Sequence, residues 1–144
     1  MALVYFDSSA FVKLLVEEEG SKLAAELWDG CDAAVSSRLA YPEVRSALAA
    51  ASRNHDLNAR DLDAAERIWE EYWAATRPVE LTQTVARLAG QLASEHALRG
   101  ADAVHLASAL ATKDPDLIVA AWDRRLHAGA RAAQLSVAPA RIAP

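Results

Sequence analysis

The chain has 144 residues, a size that fits one domain, and 53% of them are hydrophobic, enough to fill a core. Its net charge of −5 supplies no global positive field, so contact with nucleic acid would need a local basic patch. The single Cys31 excludes an intrachain disulfide framework, no apolar run is long enough to span a bilayer, and the N-terminus lacks the pattern of a signal peptide, so a cytoplasmic location away from membranes is expected.

Residues 2–6, Ala-Leu-Val-Tyr-Phe, read as a short buried strand. Asp7-Ser8-Ser9 then caps a helix expected over Ala10 to Glu19, and Gly20 breaks it. Ser21 caps a second helix, which Gly30 stops. Residues 33–36 form a weaker strand. A long helix follows from Leu39 to His55, with Pro42 tolerated in its first turn. Asn58 caps the next helix, which runs to Thr76 with Leu62, Ala65, Trp69, Tyr72 and Trp73 on one face. Arg77-Pro78 ends it, and Val79-Glu80-Leu81 reads as a strand. Thr82 or Thr84 opens a helix to Leu98, and Arg99-Gly100 is a tight break. Asp102 to Thr112 is helical, 117–122 a strand, 123–131 a short helix and 135–137 a last edge strand. The tail from Ala138 is expected to fray. Strands alternating with helices predict an α/β fold with a central parallel sheet and helices on both faces. The helices at 39–76 form a two-helix insertion, and residues 1–144 form a single domain.

Four acids stand out in this frame. Asp7 and Asp123 each end an apolar strand; Glu43 and Asp102 lie near helix starts. In an open parallel sheet those positions share one edge. Carboxylates gathered there repel one another unless a cation neutralises them, and hard oxygen donors suit Mg²⁺ or Mn²⁺. Each acid also has a plainer reading. Asp7 and Asp123 can be helix caps, and Glu43 and Asp102 first-turn acids that complement the helix dipole. Taken alone, Glu43 favours the plain reading. Asp102 is the sharpest signal, because its helix is apolar on nearly every side and a buried acid needs a partner or a cleft. The coincidence of all four at one edge favours a site. His105, one turn beyond Asp102, reads first as a packed histidine. Arg99, Arg124 and Arg125 can offset the negative charge of the acids, although each alone reads as surface charge. Glu17 to Glu19, Asp61, Asp63, Glu70 and Glu71 read as solvated surface. Gly-rich phosphate loops, CxxC, HExxH and Gly-x-Ser-x-Gly are absent, and nothing beside Cys31 would activate a thiolate.

Val4-Tyr5-Phe6-Asp7-Ser8-Ser9-Ala10 resembles the first motif of PIN-domain nucleases. Tyr41-Pro42-Glu43-Val44 resembles the segment with their second acid. Leu98-Arg99-Gly100-Ala101-Asp102-Ala103-Val104-His105-Leu106-Ala107 is similar to the third, and Trp122-Asp123-Arg124-Arg125-Leu126 to the fourth. The ordered set spans nearly the whole chain, and its size and third segment look most like VapC toxins of bacterial toxin–antitoxin pairs. The resemblance implies a PIN-like three-layer α/β/α fold and a Mg²⁺-dependent endoribonuclease. It implies a homodimer held inactive by a VapB-like antitoxin. It carries metal and catalytic roles onto Asp7, Glu43, Asp102 and Asp123, with cleavage of RNA to a 5′-phosphate and a 3′-hydroxyl. Ser9 matches a hydroxyl position near the first acid, and Ser9, Arg99 and Arg124 are candidates for outer contacts to metal or substrate. Ala121 departs from the pattern, since many members carry Thr or Ser two residues before the fourth acid.

Two rival readings stand beside this one. A non-catalytic RNA- or protein-binding PIN-like module would not need all four acids. A haloacid-dehalogenase phosphatase wants a second Asp where Ser9 stands, and a receiver domain wants paired early acids and a late Lys. The aromatic face at Trp69, Tyr72 and Trp73 is expected to form a partner or dimer surface, because interfaces are rich in aromatics; the alternative is the chain's own core.

Overall fold

A computed structural model describes residues 2–142. The elements run β1 (Leu3–Phe6), α1 (Ser8–Leu15), α2 (Ser21–Gly30), β2 (Ala33–Ser37), α3 (Ala40–Arg53), α4 (Ala59–Ala74), β3 (Thr76–Val79), α5 (Gln83–His96), α6 (Gly100–Ala111), β4 (Ile118–Ala120), α7 (Arg124–Ala132) and β5 (Ser136–Ala138). The strands form one sheet in the order β3-β2-β1-β4-β5, and every pairing is parallel. β1 lies at the centre, as its apolar run requires: both its faces are covered.

Successive residues of a strand point to opposite faces, and β1 divides the core accordingly. Val4 and Phe6 join Phe11 of α1, Val44 and Leu48 of α3, and Trp69 of α4. Tyr5 joins Val85, Ala89 and Leu92 of α5 and Leu106 of α6 on the other side. The result is the expected three-layer α/β/α arrangement. Its parallel strands also put the ends of β1 and β4, and the starts of α1 and α7, at one edge.

Three local expectations are corrected. Helix α1 stops at Leu15, not Glu19. The Ser21 hydroxyl donates to the Val16 carbonyl at 2.9 Å and accepts from the Glu18 amide at 3.0 Å, so the chain turns there. Three consecutive glutamates at a helix C-terminus would also oppose the dipole. Gly20 then adopts φ 93°, and a Cβ there would meet Lys13 and Trp122 at 2.8 Å. The third strand lies at Thr76–Val79 instead of Val79 to Leu81. Pro78 is tolerated because β3 is an edge strand, where a missing donor need not break a ladder. The tail is tied at its start: the Pro139 carbonyl accepts from His127 Nε2 at 2.7 Å. Residues 143 and 144 of that expectation lie outside the described residues.

The aromatic face is core at its centre. Trp69 is fully buried, with its ring 4.8 Å from that of Phe11. Tyr72 and Trp73 pack against the same cluster from partly buried positions. Trp73 also borders an open groove with Arg38, Leu39, Tyr41, Pro42 and Leu81, so only the rim of the face remains for a partner. Trp69 Nε1 is buried without a hydrogen-bond partner among the described residues. Trp69→Phe is therefore expected to cost only about 1–2 kcal/mol, because lost apolar contact is offset by removal of an unsatisfied N–H. Urea denaturation measures this; a loss above about 4 kcal/mol would show that the indole N–H is well satisfied.

Candidate active site

The acidic edge is built by helix caps. Asp7 ends β1, and its amide donates to the Ala120 carbonyl of β4 at 3.2 Å. Its carboxylate caps α1, accepting from the Ala10 amide at 2.9 Å and the Ser9 hydroxyl at 2.6 Å. Ser9 Oγ in turn accepts from the Trp122 amide at 2.9 Å, tying the start of α1 to the segment after β4. Asp123 caps α7, with its Oδ1 3.0 Å from the Leu126 amide. The plain and the functional readings of these two acids are thus compatible: each caps a helix and faces the same cleft.

That cleft has a volume of about 320 Å³ and is bordered by Asp7, Ser8, Ser9, Glu43, Arg99, Ala101, Asp102, His105 and Asp123. All four sequence-predicted acids meet there, with Ser9 and Arg99. Arg124, at the first turn of α7, is exposed and does not border it. Arg125 borders a different hollow with His96 and Gly129. His105 and Ser8 are members that local patterns did not assign.

The electrostatics are those of crowded negative charge partly answered from within. Asp7 is 2% exposed. Burial pushes its pKa up to about 6, against the opposing effect of the Ser9 hydroxyl and the Ala10 amide, which hydrogen-bond the carboxylate. Asp102 is buried and Asp123 half-buried. Arg99 bridges them, with Nε 3.1 Å from Asp102 and a terminal nitrogen 3.2 Å from Asp123. Glu43 reaches in from the first turn of α3 and holds His105 Nε2 at 2.6 Å.

The donor set is hard oxygen, which fits Mg²⁺ or Mn²⁺. Among the described residues no three of the acids and histidines are arranged to grip an ion together, and Asp102 and Asp123 are both turned onto Arg99. Mg²⁺ retains most of its waters and needs only one or two direct carboxylates. An exposed arginine is easily displaced, so this arrangement is compatible with such an ion.

Comparison with known proteins agrees with the geometry. Residues 4–132 match the PIN domain family. The chain is 72% identical over 144 residues, the full length of both chains, to Ribonuclease VapC45 and to Ribonuclease VapC49, from two strains of Mycobacterium tuberculosis. Among solved structures it resembles FitAB bound to the IR36 DNA fragment, with TM-score 0.70, 19% identity and 98% of each chain covered. It also resembles a toxin–antitoxin complex from Klebsiella pneumoniae, with TM-score 0.66, 19% identity, and 97% of this chain and 99% of that one covered. These likenesses set aside the phosphatase and receiver readings, and the chain belongs to the PIN-domain family, among the ribonucleases named VapC.

Proposed function

We propose that this protein is a divalent-metal-dependent endoribonuclease that acts as the toxin of a toxin–antitoxin pair, with its chemistry at the cleft of Asp7, Glu43, Asp102 and Asp123. The observation that carries the site assignment is the convergence of these acids, from four separate segments, on one cleft. The full-length likeness to ribonucleases supports the activity. The toxin–antitoxin complexes among the structural relatives support an antitoxin partner of the VapB type. We further infer a single domain that works as a homodimer in the cytoplasm. No helix of the described residues is long and apolar enough to cross a membrane.

Asp7, Asp102, Glu43 and Asp123 would hold the cation, preferably Mg²⁺. When bound, it supplies charge stabilisation at the scissile phosphate and lowers the pKa of an attacking water. The protein's own groups do the rest. Asp7 is fixed by two donors and needs no rearrangement to face the cleft. Ser9 locks the Asp7 loop to the Asp123 loop through the Trp122 amide. Arg99 offsets part of the charge of Asp102 and Asp123 and, once released, offers its guanidinium to a phosphate oxygen. In-line attack on phosphorus leaves a 5′-phosphate and a 3′-hydroxyl.

Incubation with total RNA tests this reading. Cleavage is expected with millimolar Mg²⁺ and should be lost in EDTA, with products that accept a ligase at the 5′-phosphate. Cleavage that proceeds equally in EDTA would overturn the metal assignment.

A further inference from the structure

One polar chain in the core is unexplained by the acids alone. Tyr5 is fully buried at the centre of the sheet, and His105 is 2% exposed. The Ser37 amide donates to Tyr5 Oη at 3.0 Å. Tyr5 Oη lies 2.7 Å from His105 Nδ1, and His105 Nε2 lies 2.6 Å from Glu43 Oε1. The Tyr5 and His105 rings meet edge to face at 82°, with centroids 5.9 Å apart. We propose that Tyr5 and His105 form a buried strut that positions the Glu43 carboxylate in the active-site cleft. This inference rests on the reading of Glu43 as a working acid of the nuclease site.

The hydrogen-bond directions form one consistent set. Tyr5 Oη already accepts from the Ser37 amide, and a tyrosine phenol carries its proton at neutral pH. It donates that proton to Nδ1 of His105. The remaining imidazole proton is then on Nε2, where it donates to Glu43. A histidine is fixed in one tautomer by the bond its other nitrogen makes. Every polar atom named is thereby satisfied.

Position explains why the strut is needed. Glu43 comes from α3, on the opposite side of the sheet from α6, and its side chain is 28% exposed. A half-exposed glutamate with free rotors would sample many directions. His105 lies one turn beyond Asp102 on α6, and Tyr5 lies two residues before Asp7 on β1. The strut thus refers the direction of Glu43 to β1, which leads into Asp7, and to α6, which carries Asp102. Replacing both members of a buried hydrogen-bonded pair by apolar groups of like shape can be nearly neutral for stability. Partners that orient a metal-binding side chain are worth about 10- to 100-fold in metal affinity or activity.

Tyr5→Phe, His105→Leu, His105→Gln and Glu43→Gln test this. Mn²⁺ titrated into the metal-free protein and followed by electron paramagnetic resonance gives affinity, and a short RNA cut by wild type gives kcat and KM. Tyr5→Phe and His105→Leu are expected to weaken Mn²⁺ binding about 10-fold and lower kcat about 10-fold with KM for RNA unchanged. His105→Gln keeps an N–H that can reach Glu43 and is expected to recover most of the loss. A residue of merely structural importance would lower the melting temperature and leave the Mn²⁺ affinity of the folded fraction unchanged. Should His105→Leu not fold, the comparison of Tyr5→Phe with wild type decides, because that change keeps the ring and its volume. Folded Tyr5→Phe with wild-type Mn²⁺ affinity and kcat overturns the strut. Glu43→Gln with wild-type affinity and kcat overturns the underlying assignment of Glu43 instead, so the two failures are distinguishable.

Discussion

Asp7→Asn is expected to lower RNA cleavage about 100- to 1000-fold while making the metal-free protein more stable at pH 7. The activity loss follows from removing a charge that would help hold the cation; metal ions contribute several kcal/mol of charge stabilisation in such reactions, and each 1.4 kcal/mol is about tenfold in rate. The stability gain follows from burial. Asp7 is 2% exposed, and desolvation raises its pKa from 3.8 to about 6, with the Asp123 charge adding to the rise. The folded state therefore binds the Asp7 proton more tightly than the unfolded chain does. Its favourable contribution is fully present below about pH 4 and is lost as pH rises through about 6. At pH 7 the ionised carboxylate is a burden of about 1–3 kcal/mol. Asn is neutral at every pH, and its carbonyl oxygen can still accept from the Ala10 amide. Urea denaturation in EDTA at pH 5 and pH 7 should show wild type losing stability between the two and Asp7→Asn staying nearly level. A variant less stable than wild type at pH 7 would mean that the cap needs a full charge and that Asp7 is not strained.

The sequence-level signals that held were local ones. The run Val4-Tyr5-Phe6 before Asp7 reads as a central strand because both faces are apolar, and β1 is central. Asn58 and Asp123 read as caps, and Thr82 as one of two candidates, and each accepts an amide of its helix; Ser21, also read as a cap, lies inside α2, whose N-cap is Gly20. Asp102 stood out because its helix has few polar positions, and it is buried at the cleft. What local patterns could not supply were pairings between distant segments. Glu43 and His105 are 62 residues apart, and Arg99 and Asp123 are 24 apart; neither separation has a periodicity to betray it. Two clues to His105 were present: it follows Asp102 at i+3, on the same helix face, and its helix is apolar. Trp69 showed the converse limit. Helical spacing located an aromatic face, but an aromatic stripe looks alike whether a partner or the chain's own Phe11 covers it. The misplaced third strand reflects Pro78, which marks a break in a central strand and is harmless at an edge.

Asp102→Asn should separate the site's charge from its fold. Cleavage is expected to fall about 100- to 1000-fold, for the reason given for Asp7. Stability without metal is expected to change by less than about 1 kcal/mol. Asp102 loses its charge pairing with Arg99, but the Arg99 side chain is 63% exposed, and solvent screens that charge strongly. The same substitution also relieves repulsion from Asp123 and Asp7 across the cleft. These opposing effects are both small, and Arg99 can keep its bond to Asp123. Metal breaks the balance. In wild type, a bound cation at 100 times its Kd would add about 2.7 kcal/mol of stability by mass action. In Asp102→Asn the cation has one fewer charged ligand, so the gain should shrink. Thermal melts of both proteins with millimolar Mg²⁺ and with EDTA read this difference, beside cleavage of total RNA. An Asp that served only α6 would behave otherwise: Asn would weaken the interaction with the helix dipole, and Mg²⁺ would stabilise both proteins equally. Wild-type cleavage by folded Asp102→Asn would remove that residue from the active site.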